Sequence, residues 1–233
     1  MMIIRLHTLS AHAPSMQDAC KVVELMHMSD KDALLLGEYH EDDLKLAWQQ
    51  ADFHLMLDAW VIVTRDGQFV GYADVQQTYE QASKNFALAL YIHPEYQSRG
   101  IETLLIRLGE ERIHQICRSI SVRCPIKVRI SVSRSNYLLR EAVQYEGYAQ
   151  AQQFLRMHIA LEQMAHRSLG ESNGPMILDV PLSAASEKNT LSHPQQAGTY
   201  TAKLYDIYEK MLEYSIADEK NTVHVPALQD TTV

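Results

Sequence analysis

The residues best placed to do chemistry lie in the run Leu90-Tyr91-Ile92-His93-Pro94-Glu95-Tyr96-Gln97-Ser98-Arg99-Gly100-Ile101-Glu102-Thr103-Leu104-Leu105. An apolar segment, residues 85–93, reads as a strand covered on both faces. It runs into a polar loop, and Gly100 then precedes a helical stripe of Ile101, Leu104, Leu105 and Leu108. A loop of this kind aims consecutive N–H groups at one point, and the helix dipole adds attraction for an anion. It can bind a diphosphate with few side-chain charges, which suits a chain whose formal net charge is −8.

This segment resembles the cofactor loop of the GNAT acyltransferase superfamily, which reads Gln/Arg-x-x-Gly-x-Gly/Ala after a strand ending Val/Ile-x-Pro. Ile92-His93-Pro94 matches the strand end, and Gln97-Ser98-Arg99-Gly100-Ile101 matches five of the six loop positions. Glu102 stands at the sixth and departs from the pattern. Val70-Gly71-Tyr72-Ala73, after the Asp66-Gly67 turn, is similar to the family's third strand. Asn136 followed by Gly147-Tyr148 resembles the element that closes the cofactor site, and residues 58–72 and 154–159 are similar to mycothiol-synthase-like members.

The resemblance implies an acyl-CoA co-substrate, acetyl-CoA or a close relative, and transfer of the acyl group to a primary amine by direct attack. It implies that backbone groups of Leu90, Tyr91 and Ile92 pair with the pantetheine arm like an added strand. The amides of Gln97, Ser98, Arg99, Gly100, Ile101, Glu102 and Thr103 would hold the pyrophosphate, with Arg99 as an extra charge. Asn136 would bond the pantetheine or support the splayed strands. Plainer roles compete: Gly100 as a turn residue, Arg99 as a solvated charge, Asn136 as a helix cap.

Glu102 puts a carboxylate among donors that should serve phosphate. Either it points to solvent and leaves the amides free, which is the reading preferred here, or it weakens cofactor binding. The proton chemistry is not assigned. The resemblance would put a tyrosine acid at Val143 and a carboxylate base at Phe86; Tyr145 is about 200° around a helix from the right direction. Asp74, Glu80, Tyr91 and His93 are nearby titratable groups, each more at home in a structural role. A catalytically silent GNAT-fold module that binds an acyl-CoA or a protein partner is therefore the competing expectation.

The elements that must position this loop follow from periodicity. Residues 2–7 read as a strand, and helices are expected from Pro14 and over 41–50. A hairpin is expected at 59–77 about Asp66-Gly67, a long helix after Gly100, an alternating strand at 125–133, a helix from Asn136, and closing strands at 149–161. Residues 163–199 are rich in Ser, Gly, Pro, Asn and Gln and read as a linker. Leu204, Ile207, Tyr208, Met211, Leu212 and Ile216 put a helix at 200–217. The expected fold is α/β: a GNAT-like mixed, mostly antiparallel sheet flanked by helices, as a domain at 1–162, with the linker at 163–199 and a C-terminal helix and tail at 200–233. The apolar face of that tail would suit a homodimer.

Composition narrows the partners. A hydrophobic fraction of 46% in 233 residues allows a real core, and the acidic balance argues against nucleic acid. Eleven scattered histidines, with no HExxH and no His/Cys cluster, give no metal expectation. Cys20, Cys117 and Cys124 form no CxxC and read as idle thiols in a reducing compartment. No apolar run approaches the roughly 18–20 residues of a membrane span. The expectation is a cytoplasmic protein that meets a small-molecule or protein amine and no membrane.

Overall fold

The structure is a computed structural model that describes residues 4–6, 8–30, 39–80, 83–118, 125–159, 176–182 and 200–213. In chain order the elements are β1 (Ile4–Leu6), β2 (Leu9–His12), α1 (Ala19–Ser29), α2 (Glu41–Trp48), α3 (Leu55–Asp58), β3 (Ala59–Thr64), β4 (Phe69–Glu80) and β5 (Ser83–Ile92). They continue with α4 (Ile101–Arg118), β6 (Ile126–Ser133), α5 (Tyr137–Tyr145), β7 (Ala149–Ile159), β8 (Met176–Leu182) and β9 (Tyr200–Leu212).

Local chemistry accounts for most of these elements. Asp18 accepts from the Ser15 N–H and hydroxyl at 2.9 and 2.7 Å, which fixes the chain entering α1. Glu41, Asp42 and Asp43 occupy the first turn of α2, where the dipole favours acids. In β6 the expected alternation appears as Ile126, Val128, Ile130 and Val132 buried in the core, while Lys127 and Arg129 pair with Glu209.

The strands among the described residues form one nine-stranded sheet in the order β1-β2-β3-β4-β5-β6-β9-β7-β8. Among the described residues β5–β6 is the one parallel pair. Helices α4 and α5 cover one face over a core that includes Phe86, Leu88, Ile92, Ile113 and Ile130. A Cβ on Gly109 of α4 would stand 2.6 Å from Leu88 Cδ1, so glycine lets this helix lie close on β5. Helices α1 and α2 cover part of the other face, where Val22, Leu25, Trp48 and Tyr72 pack together.

The C-terminal expectation is overturned. Residues 200–212 are strand, not helix, and β9 lies inside the sheet between β6 and β7. Residues 214–217 of the expected helix lie outside the described residues. The stretch read as a linker contains β8, which pairs with β7; the rest of 163–199 lies outside the described residues. The error has a physical cause, because β9 is buried on both faces. Lys203 and Tyr205 project to one side, Asp206 and Tyr208 to the other, and all four are buried. A strand buried on both sides need not show a period of two, and the spacing of its apolar residues here imitates a helical stripe. Of the apolar residues of this segment, Tyr208 and Leu212 are buried in the sheet and Met211 is 53% exposed.

One outcome follows for stability. A chain ending at Gln163 lacks the strand that pairs with both β6 and β7, so it should show no cooperative unfolding transition by circular dichroism. A truncated chain with a melting curve like that of the full chain would contradict this placement of β9.

Candidate functional site

The site begins where two strands part. β5 and β6 are in register from Lys84↔Ile126 to Ala87↔Arg129 and then diverge. β5 stays on β4 as far as Ile92↔Gly71, and β6 stays on β9 as far as Ser133↔Tyr205. Between them opens a cleft of about 230 Å³, walled by Ala87 to Tyr91 on one side and by Arg129, Ser131 and Ser133 on the other. The His93 N–H donates to Val70 O at 3.0 Å. Strand alternation therefore turns the Leu90 and Ile92 N–H groups toward the cleft. The Ile92 N–H meets Ser29 Oγ at 3.2 Å, so the Leu90 amide is the better placed of the two for a ligand. The Tyr91 ring lines the cleft, stacked on Tyr72 and edge-on to Tyr39.

The expected anion loop lies between β5 and α4. A 3-10 turn at Pro94–Tyr96 leads to Gln97, Ser98 and Arg99, and Leu104 N–H donates to Gly100 O at 3.1 Å as the first helical bond. Gly100 is thus the N-cap, and Ile101, Glu102 and Thr103 hold the first amides of α4, which have no acceptor within the helix. Gly100 has φ of 82° and Ser98 φ of 59°, so two residues in left-handed conformation bend the loop around this point. Gln97 Nε2 approaches Asn136 Oδ1 at 3.4 Å, tying the loop to the β6–α5 turn. Asn136 also caps α5 through the Leu139 N–H at 3.1 Å and lines the cleft. Arg99 is held over the Tyr96 ring, 4.7 Å from its centroid, so its charge is engaged beside the loop.

Glu102 does not point to solvent, contrary to the sequence reading. It is 3% exposed, and its carboxylate accepts from the Ser98 N–H at 2.8 Å. One amide of the expected pyrophosphate cradle is thus satisfied from within, and a negative charge lies against the loop. The bond also explains how Ser98, a non-glycine residue, keeps a positive φ.

The titratable residues singled out by sequence are mostly committed elsewhere. Asp74 accepts from Tyr72 Oη at 2.7 Å and Gln76 Nε2 at 3.2 Å, and Tyr72 in turn accepts from Trp48 Nε1 at 2.9 Å. Burial raises the Asp74 carboxyl from its ordinary 3.8 to about 6, with its hydrogen bonds opposing. His93 Nδ1 accepts from the Glu95 N–H at 3.2 Å and belongs to the turn. The Glu80 side chain lies outside the described residues. Phe86 and Val143 are fully buried core residues, and Tyr145 is 84% exposed.

Sequence reasoning missed the rest of the cleft. Asp30, at the C-terminal end of α1, lines it together with Ser29, Tyr39, Arg156, Tyr205 and Ile207. Lys203 donates to Asp30 Oδ1, and Tyr205 Oη donates to Asp30 Oδ2 at 3.2 Å. Arg156 makes a paired contact with Asp179, both bonds at 2.8 Å, and lies over the Tyr205 ring. Reading 200–212 as a strand would have been the signal, since odd positions from Lys203 to Ile207 then share one face.

A mixed sheet with central parallel strands splayed beside an amide loop and a helix N-terminus is the GNAT fold. The family model described as the acetyltransferase (GNAT) family matches residues 23–126, which span most of α1 through the start of β6 and include the loop. Residues 23–126 are thus similar to the GNAT acetyltransferase family, and the chain shares the fold of its solved members. It is similar to a GCN5-related N-acetyltransferase from Sphaerobacter thermophilus at TM-score 0.58 and 21% identity, over 69% of this chain and 49% of that one. The chain thus spans about half the length of that protein. It is also similar to yncA from Salmonella typhimurium, solved with its cofactor acetyl-CoA, at TM-score 0.52 and 13% identity over 91% and 98% of the two chains. A ribosomal-protein-S5-alanine acetyltransferase from Vibrio fischeri gives TM-score 0.51 and 8% identity over 91% and 97%. No curated protein sequence matches the chain.

Two outcomes test this geometry. Glu102→Gln keeps an oxygen for the Ser98 N–H and removes the charge, so the Kd for CoA by calorimetry should fall by about 5-fold at low salt, less at high salt. A weaker Kd would show that the carboxylate helps the ligand. For Asp74, the folded chain holds the proton more tightly than the unfolded one. The contribution to stability is therefore full below about pH 4 and is lost as pH rises through about 6. Asp74→Asn should gain on the wild type by up to about 3 kcal/mol across that window in urea unfolding. Parallel pH curves for the two proteins would exclude this titration.

Proposed function

We propose that the protein transfers an acetyl or short acyl group from an acyl-CoA to a primary amine, on a small molecule or a protein, by direct attack of the amine. The observation that carries this reading is the divergence of β5 and β6 after Ala87↔Arg129 beside the loop at Gly100. An extended pantetheine arm fits the opened edge of β5, where the Leu90 amide faces the cleft. The first amides of α4 are suited to phosphate oxygens, and Asn136 joins the two regions through Gln97. The thioester supplies the activated acyl carbon; the chain's own contribution is to hold the donor extended and bring an amine against it, which lowers the barrier through proximity.

Several finer points go with this reading as proposals. The local likeness of residues 58–72 and 154–159 to mycothiol-synthase-like members favours that subgroup. A cytoplasmic location suits a donor made in the cell interior, and no helix among the described residues is long and apolar enough to cross a membrane. The buried Glu102 in the loop favours a second reading, a silent module that binds an acyl-CoA weakly or serves a protein partner.

The test combines binding with turnover. CoA at about 100 times its Kd should stabilise the fold by about 2.7 kcal/mol, raising Tm by on the order of 5 °C. Gly100→Pro, which forces φ to about −65°, should abolish the rise. Free thiol should appear when acetyl-CoA meets an accepted amine. A Tm indifferent to millimolar CoA would overturn the donor assignment, whereas a Tm rise without thiol release across amines would leave the silent module.

A further inference from the structure

We infer that Asp30 is the proton acceptor for the attacking amine, held in place by Lys203 and Tyr205; the inference rests on the N-acyl-transfer reading above.

The cleft offers few alternatives. Among the described residues that line it, Asp30 is the one carboxylate, and no histidine or lysine joins it. Phe86 and Val143 carry nothing titratable, and Asp74 is not among the residues that line the cleft. An amine must lose a proton as it becomes an amide, and a positioned carboxylate can take it.

The setting of Asp30 is hard to explain by stability. Lys203 and Asp30 have side-chain exposures of 6% and 11%, and they come from elements far apart in the chain. Burying an ion pair costs desolvation that the attraction seldom repays, so apolar residues would hold the same junction as well or better. What the pair does provide is a fixed carboxylate, with one oxygen bonded by the Lys203 ammonium and the other by the Tyr205 hydroxyl. The Tyr205 ring is itself fixed, stacked on Phe154 at 5.1 Å with the planes 8° apart. Among the described residues, the charged and titratable groups that line the cleft with Asp30 are Tyr205 of β9, Arg156 of β7, Arg129 of β6, Tyr91 of β5 and Tyr39, and Lys203 of β9 bonds it. Arg156 and Arg129 pair with Asp179 and Glu209, and Lys203 is paired with Asp30.

The step balances simply. The amine nitrogen bonds to the thioester carbonyl carbon, the C–S bond breaks, and one amine proton passes to Asp30. The CoA thiolate leaves and takes a proton from water, and Asp30 returns its proton to solvent.

The test uses the full chain with acetyl-CoA and three probe amines: spermidine, propylamine and a short peptide with a free N-terminus. Thiol release is followed against pH. Asp30→Asn should lower kcat/KM by about 100-fold and erase the acid limb of the profile, while the rise in Tm with CoA stays as in wild type. Lys203→Met should move the acid limb to higher pH, because the ammonium that favours the ionised carboxylate is gone, and Lys203→Arg should restore it. Tyr205→Phe keeps the ring stack and removes one bond to Asp30, so it should move the limb the same way; this variant carries the test if Asp30→Asn does not fold. Activity in Asp30→Asn within a few-fold of wild type, with an unchanged limb, would overturn the assignment alone. A wild type that releases no thiol with any probe would overturn both the assignment and the transfer reading.

Discussion

The whole arrangement depends on a parallel strand pair that stops pairing in the middle of a sheet. Backbone N–H and C=O groups left unpaired in a protein interior are costly, so sheets close such gaps unless each strand is held from its other side. Here both are. β5 pairs along its length with β4, and β6 pairs along its length with β9. The strands are pulled apart by their outer neighbours, and the gap exposes backbone donors where an extended ligand can complete the sheet.

The same constraint sorts the two faces. On the side of α4 and α5 the sheet is packed with apolar residues, and its buried polar groups serve architecture. Asp206, fully buried, accepts from Gln150 and Gln153 of β7 at 3.1 and 2.9 Å and pairs with Arg140 of α5 at 3.2 Å. These bonds join β9 to β7 and to α5, so β9 cannot slip by one residue without stranding a charge. The opposite face near the cleft is polar, with Arg129, Ser131, Ser133, Tyr205 and Arg156 along it. Register fixed on one face thereby decides which side chains reach the cleft on the other.

The loop shows how a local departure is absorbed. A carboxylate at the second position of α4 would ordinarily only favour the dipole. Glu102 instead folds back to Ser98 and stabilises a turn that non-glycine residues resist. The loop is thus preorganised by an internal anion, and part of its capacity for an external one is already committed.

The strand, loop and helix from Ser83 to Arg118 were legible in the sequence because each is locally encoded. Apolar continuity marks β5, a glycine at positive φ marks the loop's end, and a single apolar stripe marks α4. The β3–β4 hairpin and the alternation of β6 were legible for the same reason. β9 was not, because a strand buried on both faces need not show an amphipathic period, and its inward position is set by partners 50 to 80 residues away. The direction of Glu102 was not legible either, since the positive φ of Ser98 that it supports belongs to the folded loop. Above all, the meeting of Asp30 with Lys203 and Tyr205 joins residues 173 and 175 positions apart. Side-chain periodicity reports one element's own faces; which faces meet across a cleft is decided when the sheet chooses its strand order, and that choice is tertiary.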